Sequence, residues 1–353
     1  MSAPPVGPGP VWDAVNGLAA FGALGAALEL GLVDALADGG LPAPDLAAAV
    51  GAADDGAVEL LAELLVSLGL LTTDGVAFGL TPVAERFLTR DSPASMAALA
   101  TLSPGPWSGW QQLAGTIRSG SVPAGTAADL TAMYPDLVRA TAPTQRAVAT
   151  GVAAALAERG LWPEAPHVVD LGCGSGAWLT ALLADRADAT AVGVDLPGVL
   201  PVAASRVDDA GLSARVTLIE GDYLEVDLPA GCAHVVVLAH VLRAEPPERA
   251  RQLLARAVDL AAPGGVVVVA DYPRPDRAAE PDPGRDAVLA AARHELVLSL
   301  TMAAATPGRG VTVADLRAWA AGCGAELTDV LQPVPRQTVF LIRTAPATER
   351  DEP

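Results

Sequence analysis

The chain has 353 residues, 51% of them hydrophobic and 18% charged, enough to bury the cores of two domains. Acidic residues number 41 against 22 basic ones, and a net charge of −19 repels phosphate backbones and anionic lipid, so no nucleic-acid or membrane partner is expected. Lysine is absent and the first basic residue is Arg86, which excludes lysine Schiff-base chemistry and a P-loop lysine.

Residues 1–10 are rich in Pro and Gly and lack the basic start of a signal peptide. The uncharged stretch Ala14–Leu28 is too short to span a bilayer. Helical spacing of apolar residues predicts a helix from Trp12 to about Ala37, ending at Gly39-Gly40. A short helix follows from Pro44-Asp45 to about Val50. Asp54-Asp55 can cap a longer one through Leu60, Leu61, Leu64, Leu65 and Leu68 to Gly69. Leu70–Thr72 and Val76–Leu80 flank Asp74-Gly75, a hairpin turn signal. Helices followed by a hairpin give the order of a winged helix, placed over residues 12–90. Its would-be recognition helix carries Asp54, Asp55, Glu59 and Glu63 and no basic residue. A DNA-binding regulator is therefore disfavoured, and a packing or dimerisation module is expected. Residues 91–160 read as an irregular helical connector holding Trp107, Trp110, Met133 and Tyr134. Three widely spaced cysteines (Cys173, Cys232, Cys323) fit reduced cytoplasmic thiols.

From residue 161 to 345 strands alternate with helices. Strands are predicted at His167–Leu171, Ala191–Asp195, Val216–Glu220, Ala233–Ala239 and Val266–Ala270, the last entered by a turn at Pro263-Gly264-Gly265. Helices fall through Leu179–Leu183 and at Pro201–Ala210, Arg249–Leu260, Asp286–Ala304 and Val313–Ala321. Glu326–Leu331 and Thr338–Arg343 close the chain as a hairpin. Continuous apolar strands mean a sheet covered on both faces. The expected fold class is α/β, a doubly wound, mostly parallel seven-stranded sheet behind a mainly helical winged-helix domain.

The sharpest motif is Val168-Val169-Asp170-Leu171-Gly172-Cys173-Gly174-Ser175-Gly176, where a strand gives way to a helix through glycines that let the backbone approach a ligand. Asp195, followed by Leu196, ends the second strand, where an acid can bind both ribose hydroxyls. In Gly221-Asp222-Tyr223, Asp222 can accept from an adenine amino group and Tyr223 can stack on the base. Gly172-x-Gly174-x-x-Ala177 is also compatible with NAD. Asp170, placed to help hold an ammonium group, the acid after the third strand and the terminal hairpin favour S-adenosylmethionine. Cys173 has no adjacent His to activate it, His167 and His234 start strands and read as structural, and no metal-ligand spacing is visible.

From residue 12 to 345 the chain resembles the small-molecule O-methyltransferases of the plant caffeate and bacterial secondary-metabolite type. Ala26–Asp34, Leu68-Gly69-Leu70-Leu71 and Leu80-Thr81-Pro82 resemble that family's dimerisation module. Asp170–Gly176, Val194-Asp195-Leu196-Pro197, Gly221-Asp222-Tyr223 and Pro263-Gly264-Gly265 resemble its cofactor motifs. The resemblance implies an intertwined homodimer, S-adenosylmethionine as donor with Ala239 among its contacts, and a small-molecule acceptor held between the domains. The family's catalytic His, in a Leu-His-Asp-Trp run, aligns with Arg243, and its Trp with Glu245. Asp271 matches the family's acid after the fifth strand, and Gly310 stands where a second acid is expected. Arginine is always protonated and cannot be a general base, but it can stabilise an anion. Three readings stay open. Methyl transfer, most simply to oxygen but also to nitrogen or carbon, can proceed by positioning alone. His240 or His294 can serve as the base. The chain can also bind S-adenosylmethionine without transferring methyl, as relatives that catalyse hydroxylation or pericyclic steps do. Trp107, Trp110, His294 and Met302 are the candidate acceptor-pocket residues.

Overall fold

The computed structural model describes residues 7–102, 107–123, 126–277 and 280–346, with only the backbone for 107, 108 and 126–130. It forms two compact units, Met1–Ser103 and Pro104–Pro353.

The first unit contains α1 (Gly9–Glu29), α2 (Leu32–Ala35), β1 (Leu41–Pro42), α3 (Ala43–Ala49), α4 (Asp55–Ser67), β2 (Leu71–Thr73), β3 (Ala77–Leu80), α5 (Pro82–Leu88) and α6 (Ala97–Thr101). The single helix expected over 12–37 is broken at Gly31, whose φ of +76° caps α2 in the left-handed region. The side chain of Asp54 caps α4 by accepting from the Ala57 N–H at 3.0 Å. The wing hairpin joins β1 in a three-stranded antiparallel sheet of order β1-β3-β2. Leu32, Leu46, Val58, Leu65 and Phe78 fill the core beneath. Asp55, Glu59 and Glu63 of α4 are exposed beside Leu60 and Leu64, so the charges this helix presents to solvent are all carboxylates.

In α1, Val11, Trp12, Val15 and Leu18 are 65, 59, 59 and 67% exposed. This helix has 21 residues and, by length and composition alone, is long and apolar enough to cross a membrane. That corrects the expectation drawn from Ala14–Leu28, because the helix starts earlier, at Gly9.

The second unit opens with α7 (Trp107–Ser119) and α8 (Thr126–Glu158), a continuous 33-residue helix with Pro135 and Pro143 inside it. Then come β4 (His167–Leu171), α9 (Ala177–Leu183), β5 (Thr190–Asp195), α10 (Leu200–Asp209), β6 (Val216–Glu220), β7 (Ala233–Ala239), a 3-10 turn (Leu242–Ala244), α11 (Pro247–Leu260), β8 (Ala261–Asp271), α12 (Arg285–Ala291), α13 (Arg293–Ala305), α14 (Val313–Gly322), β9 (Ala325–Val334) and β10 (Gln337–Thr344). The strands form one sheet of order β6-β5-β4-β7-β8-β10-β9, parallel except for β10, which runs antiparallel to both its neighbours.

Alternate residues of the central strands point to opposite faces. Val168, Val235, Val237, Val266 and Val268 join the core shared with α8 and α9, and Val169, Val236, Leu238, Val267 and Val269 the core shared with α11 and α14. Each fully buried Val or Leu contributes about 2 kcal/mol of burial free energy. Pro263-Gly264-Gly265 lies within β8 as a bulge, between the register pairs Ala233↔Ala261 and Val235↔Val266, and not as a turn before the strand. The helix expected over 286–304 is two helices meeting at Ala292 with a 74° bend.

Candidate active site

The order of the sheet reverses between β4 and β7, and ligands of doubly wound sheets bind at the carboxyl ends of strands flanking such a point. The loop after β4 holds Gly172, Gly174 and Gly176 at φ of +82°, +56° and +71°. At Gly172 a Cβ would stand 2.5 Å from Val241 Cγ1, so a larger residue would have to displace the Val241 side chain and adopt the left-handed backbone as well. Gly176 precedes α9, whose first N–H groups open onto the loop.

Asp195 closes β5 and ties this loop down. Its Oδ2 accepts from the Gly174 N–H and its Oδ1 from the Leu196 N–H, both at 2.7 Å. Burial raises its pKa against those bonds. Beneath the loop, Asp170 is 1% exposed and, among the described residues, neither carboxylate oxygen has a hydrogen-bond partner. Burial, and then the charge of Asp195, pushes the Asp170 pKa well above the usual carboxylate range. Gly221 donates its N–H to the Asp195 carbonyl at 3.0 Å, which brings Asp222 and Tyr223 to the same edge.

There the structure adds partners that spacing did not show. Arg249 of α11 pairs with Asp222 and, at 3.0 Å, with Glu245; the Tyr223 hydroxyl donates to Glu245. The Asp222 carboxylate also accepts from the Leu224 N–H at 2.9 Å. Asp222 is thus already engaged by a guanidinium, and the Tyr223 ring is pinned beside it.

On the other side of the reversal point, Ala239 ends β7 and His240 follows at φ +61°. Both His240 ring nitrogens are covered and unpartnered, and burial, then the Arg243 charge, lowers its pKa to about 3. The Tyr272 ring lies 5.0 Å from the His240 ring and 5.4 Å, edge-on, from the His294 ring. Burial also lowers the His294 pKa. Arg243, 7% exposed, lies over the Tyr272 face at 5.1 Å and donates from Nη2 to the Leu298 carbonyl at 3.2 Å. Its Nε stands 4.0 Å from the fully buried Asp271, whose Oδ2 has no partner. Gln337 donates to the Tyr272 hydroxyl.

The structure therefore brings Arg243, His240, His294 and Asp271 into one cluster, joined by Tyr272 and Gln337, which the sequence reading missed. The Asp271-Tyr272 pair directly after a strand was the available signal for Tyr272. Trp110 and Met302 are half-buried on α7 and α13, which pack so closely that a Cβ on Gly109 would meet the Ala304 carbonyl oxygen at 3.1 Å. The side chain of Trp107 lies outside the described residues. Burial pushes the Cys173 thiol well up, keeping it protonated and non-nucleophilic. His234 accepts from the His167 N–H at 3.0 Å, a structural contact between strands.

Comparison with known proteins decides what this edge belongs to. Residues 12–90 match the model of the O-methyltransferase dimerisation domain and residues 168–265 that of a methyltransferase domain. The 2,7-dihydroxy-5-methyl-1-naphthoate 7-O-methyltransferase of Streptomyces carzinostaticus is 34% identical over 69% of this chain and 75% of its own length. The chain belongs to the S-adenosylmethionine-dependent O-methyltransferase family. Human N-acetylserotonin methyltransferase, solved with S-adenosylmethionine, shares the fold at a TM-score of 0.76 and 22% identity, with 98% of this chain and 100% of that one covered. An O-methyltransferase from neocarzinostatin biosynthesis, solved with S-adenosylmethionine and 2-hydroxy-5-methyl naphthoic acid, is 28% identical at a TM-score of 0.67, covering 97% and 100%.

Against this O-methyltransferase family, the chain departs where chemistry is expected. Arg243 stands at the position the resemblance gives to the basic His. The second acid has no room: at Gly310, φ is +70° and a Cβ would meet Ser299 Oγ at 2.6 Å. The Gly310 N–H instead donates to the Arg243 carbonyl at 3.2 Å, so this loop supports the arginine.

Proposed function

We propose that this O-methyltransferase transfers a methyl group from S-adenosylmethionine to a hydroxyl of a small aromatic natural-product intermediate, as a cytoplasmic homodimer. The observation that carries the reading is Asp170. A buried carboxyl with both oxygens unpartnered fits a donor that brings an ammonium against which it can ionise, and it supplies no such match to the pyrophosphate of NAD. Asp195 is placed to accept from the ribose hydroxyls, with Leu196, Gly221 and Ala239 around the nucleoside. The glycine loop, through Gly172, Gly174 and Gly176, supports the amino-acid end. Asp222 and Tyr223 would meet the adenine, with Arg249 pairing Asp222 directly and bracing Tyr223 through Glu245.

When bound, the donor supplies a sulfonium methyl that needs no further activation. The work of this chain is then to bind, orient and keep water away. Arg243 faces the acceptor with a permanent positive charge, and the Tyr272 ring between His240 and His294 gives a flat wall for an aromatic acceptor. Trp110 and Met302 are the apolar candidates around it. The exposed Val11, Trp12, Val15 and Leu18 of α1 supply an apolar face suited to a second copy of the chain.

Formation of S-adenosylhomocysteine with hydroxylated naphthoates as trial acceptors tests the reading. One S-adenosylhomocysteine per methylated product supports it. Product that forms without S-adenosylhomocysteine would point to a donor-dependent enzyme that transfers no methyl.

A further inference from the structure

Among the described residues, the buried Arg243 guanidinium has few partners. Its guanidinium has five N–H donors. One reaches the Leu298 carbonyl at 3.2 Å, and the 4.0 Å from Nε to Asp271 is an ion-pair distance and not a hydrogen bond. Asp271 itself lacks a partner at Oδ2, and burial raises its pKa, weakening it as a counter-charge. The groups facing the guanidinium are Asp271 and Tyr272 from β8, His240 after β7 and His294 on α13; Glu295 faces Tyr272 and His294, and Arg336 in the β9–β10 turn faces His294. None is a base matched to a phenol. A His with pKa about 3 lies roughly seven units below an ordinary phenol, and His294 is shifted the same way by burial.

We propose that the acceptor enters as an oxyanion held by Arg243, and that the substrates are hydroxyls made acidic by conjugation to a carbonyl. This rests on the methyl-transfer reading above and adds the substrate class. The proton leaves to water before transfer, so no side chain receives it. The oxyanion lone pair forms the O–CH3 bond while the C–S bond breaks with its electrons to sulfur. The negative oxygen and the positive sulfonium both become neutral. An opposite charge within a few ångströms lowers an acid's pKa by about 1–3 units, so Arg243 enlarges the ionised fraction but brings an ordinary phenol only part of the way. Acidic vinylogous hydroxyls are fully ionised there.

The test begins without donor. A nitronaphthol, whose naphtholate absorbs visibly, is titrated in the presence of the whole protein. Bound to wild type, its apparent pKa falls by about one unit or more. In Arg243→Gln the shift is lost, and Arg243→Lys keeps part of it. Because a buried variant can fail to fold, a second measurement uses wild type alone. With donor added, the pH dependence of kcat/KM is recorded for naphthols of graded acidity, and each midpoint follows the ionisation of its own naphthol. An unshifted or raised probe pKa, or one common midpoint for all naphthols, overturns the proposal, since the latter reports an enzyme base. A shifted probe with no S-adenosylhomocysteine from any naphthol instead removes the methyl-transfer reading and leaves anion capture standing.

Discussion

Asp170→Asn separates stability from binding in opposite directions. Above pH ~4 the folded chain must either bury the Asp170 charge or hold a proton that water would take, at a cost of several kcal/mol, whereas an amide in the same place leaves only an unsatisfied polar group worth about 1–3 kcal/mol. Asp170 is 1% exposed and unpartnered, so the substitution stabilises the ligand-free protein by about 2 kcal/mol, or roughly 4–8 °C in Tm. The pH dependence has a definite sign. The folded pKa is raised by burial, so the native state holds a proton that the unfolded chain has already lost above pH ~4. The Asp170 contribution therefore falls as pH rises from about 4 toward its folded pKa, and Asp170→Asn flattens that slope. Binding moves the other way. Loss of a buried partner for an ammonium costs about 2–5 kcal/mol, roughly 30-fold to several thousand-fold in affinity for S-adenosylhomocysteine. Scanning fluorimetry across pH and calorimetry with S-adenosylhomocysteine read both arms. A variant less stable than wild type that binds the product with undiminished affinity would refute the reasoning.

Three further outcomes follow from the geometry. Gly172→Ala should lose about 2–4 kcal/mol in urea denaturation, from left-handed strain and the contact with Val241, whereas Gly211→Ala, at φ +68° with nothing within 4 Å, should lose only about 1 kcal/mol; equal losses would show that the loop can yield. His240 has a folded pKa of about 3 against about 6.5 unfolded, so the unfolded chain takes the proton first and stability drains away as pH falls from about 6.5 toward 3, a loss of order a few kcal/mol. His240→Gln should remove that part of the acid sensitivity, checked by denaturation midpoints between those pH values. Leu18→Glu should convert a dimer to monomers in sedimentation velocity, because it puts a charge into the apolar face of α1; an unchanged sedimentation coefficient would move the interface elsewhere.

What the sequence revealed was what periodicity and local turns encode. The strands over His167–Leu171, Val216–Glu220 and Ala233–Ala239 were legible to the residue, because each is a short, mainly apolar run rich in β-branched residues. Residues 126–158 were not, because two prolines inside a helix read as breaks until α9 is seen packed against it. Gly31 and Ala292 divide helices whose apolar spacing continues across the break. In the site, the glycine loop, Asp195 and Asp222 were visible as spaced residues on strand ends. The pairing of Arg249 with Asp222 and the ring contact between Tyr272 and His240 join residues 27 and 32 positions apart through the fold, and no local pattern marks them.

The measurement closest to the central claim is calorimetric titration of the purified protein with S-adenosylhomocysteine and, separately, with NAD. The account predicts one S-adenosylhomocysteine per chain, binding lost in Asp195→Ala, and no heat with NAD. Saturable NAD binding that depends on Asp195, with none for S-adenosylhomocysteine, would contradict it.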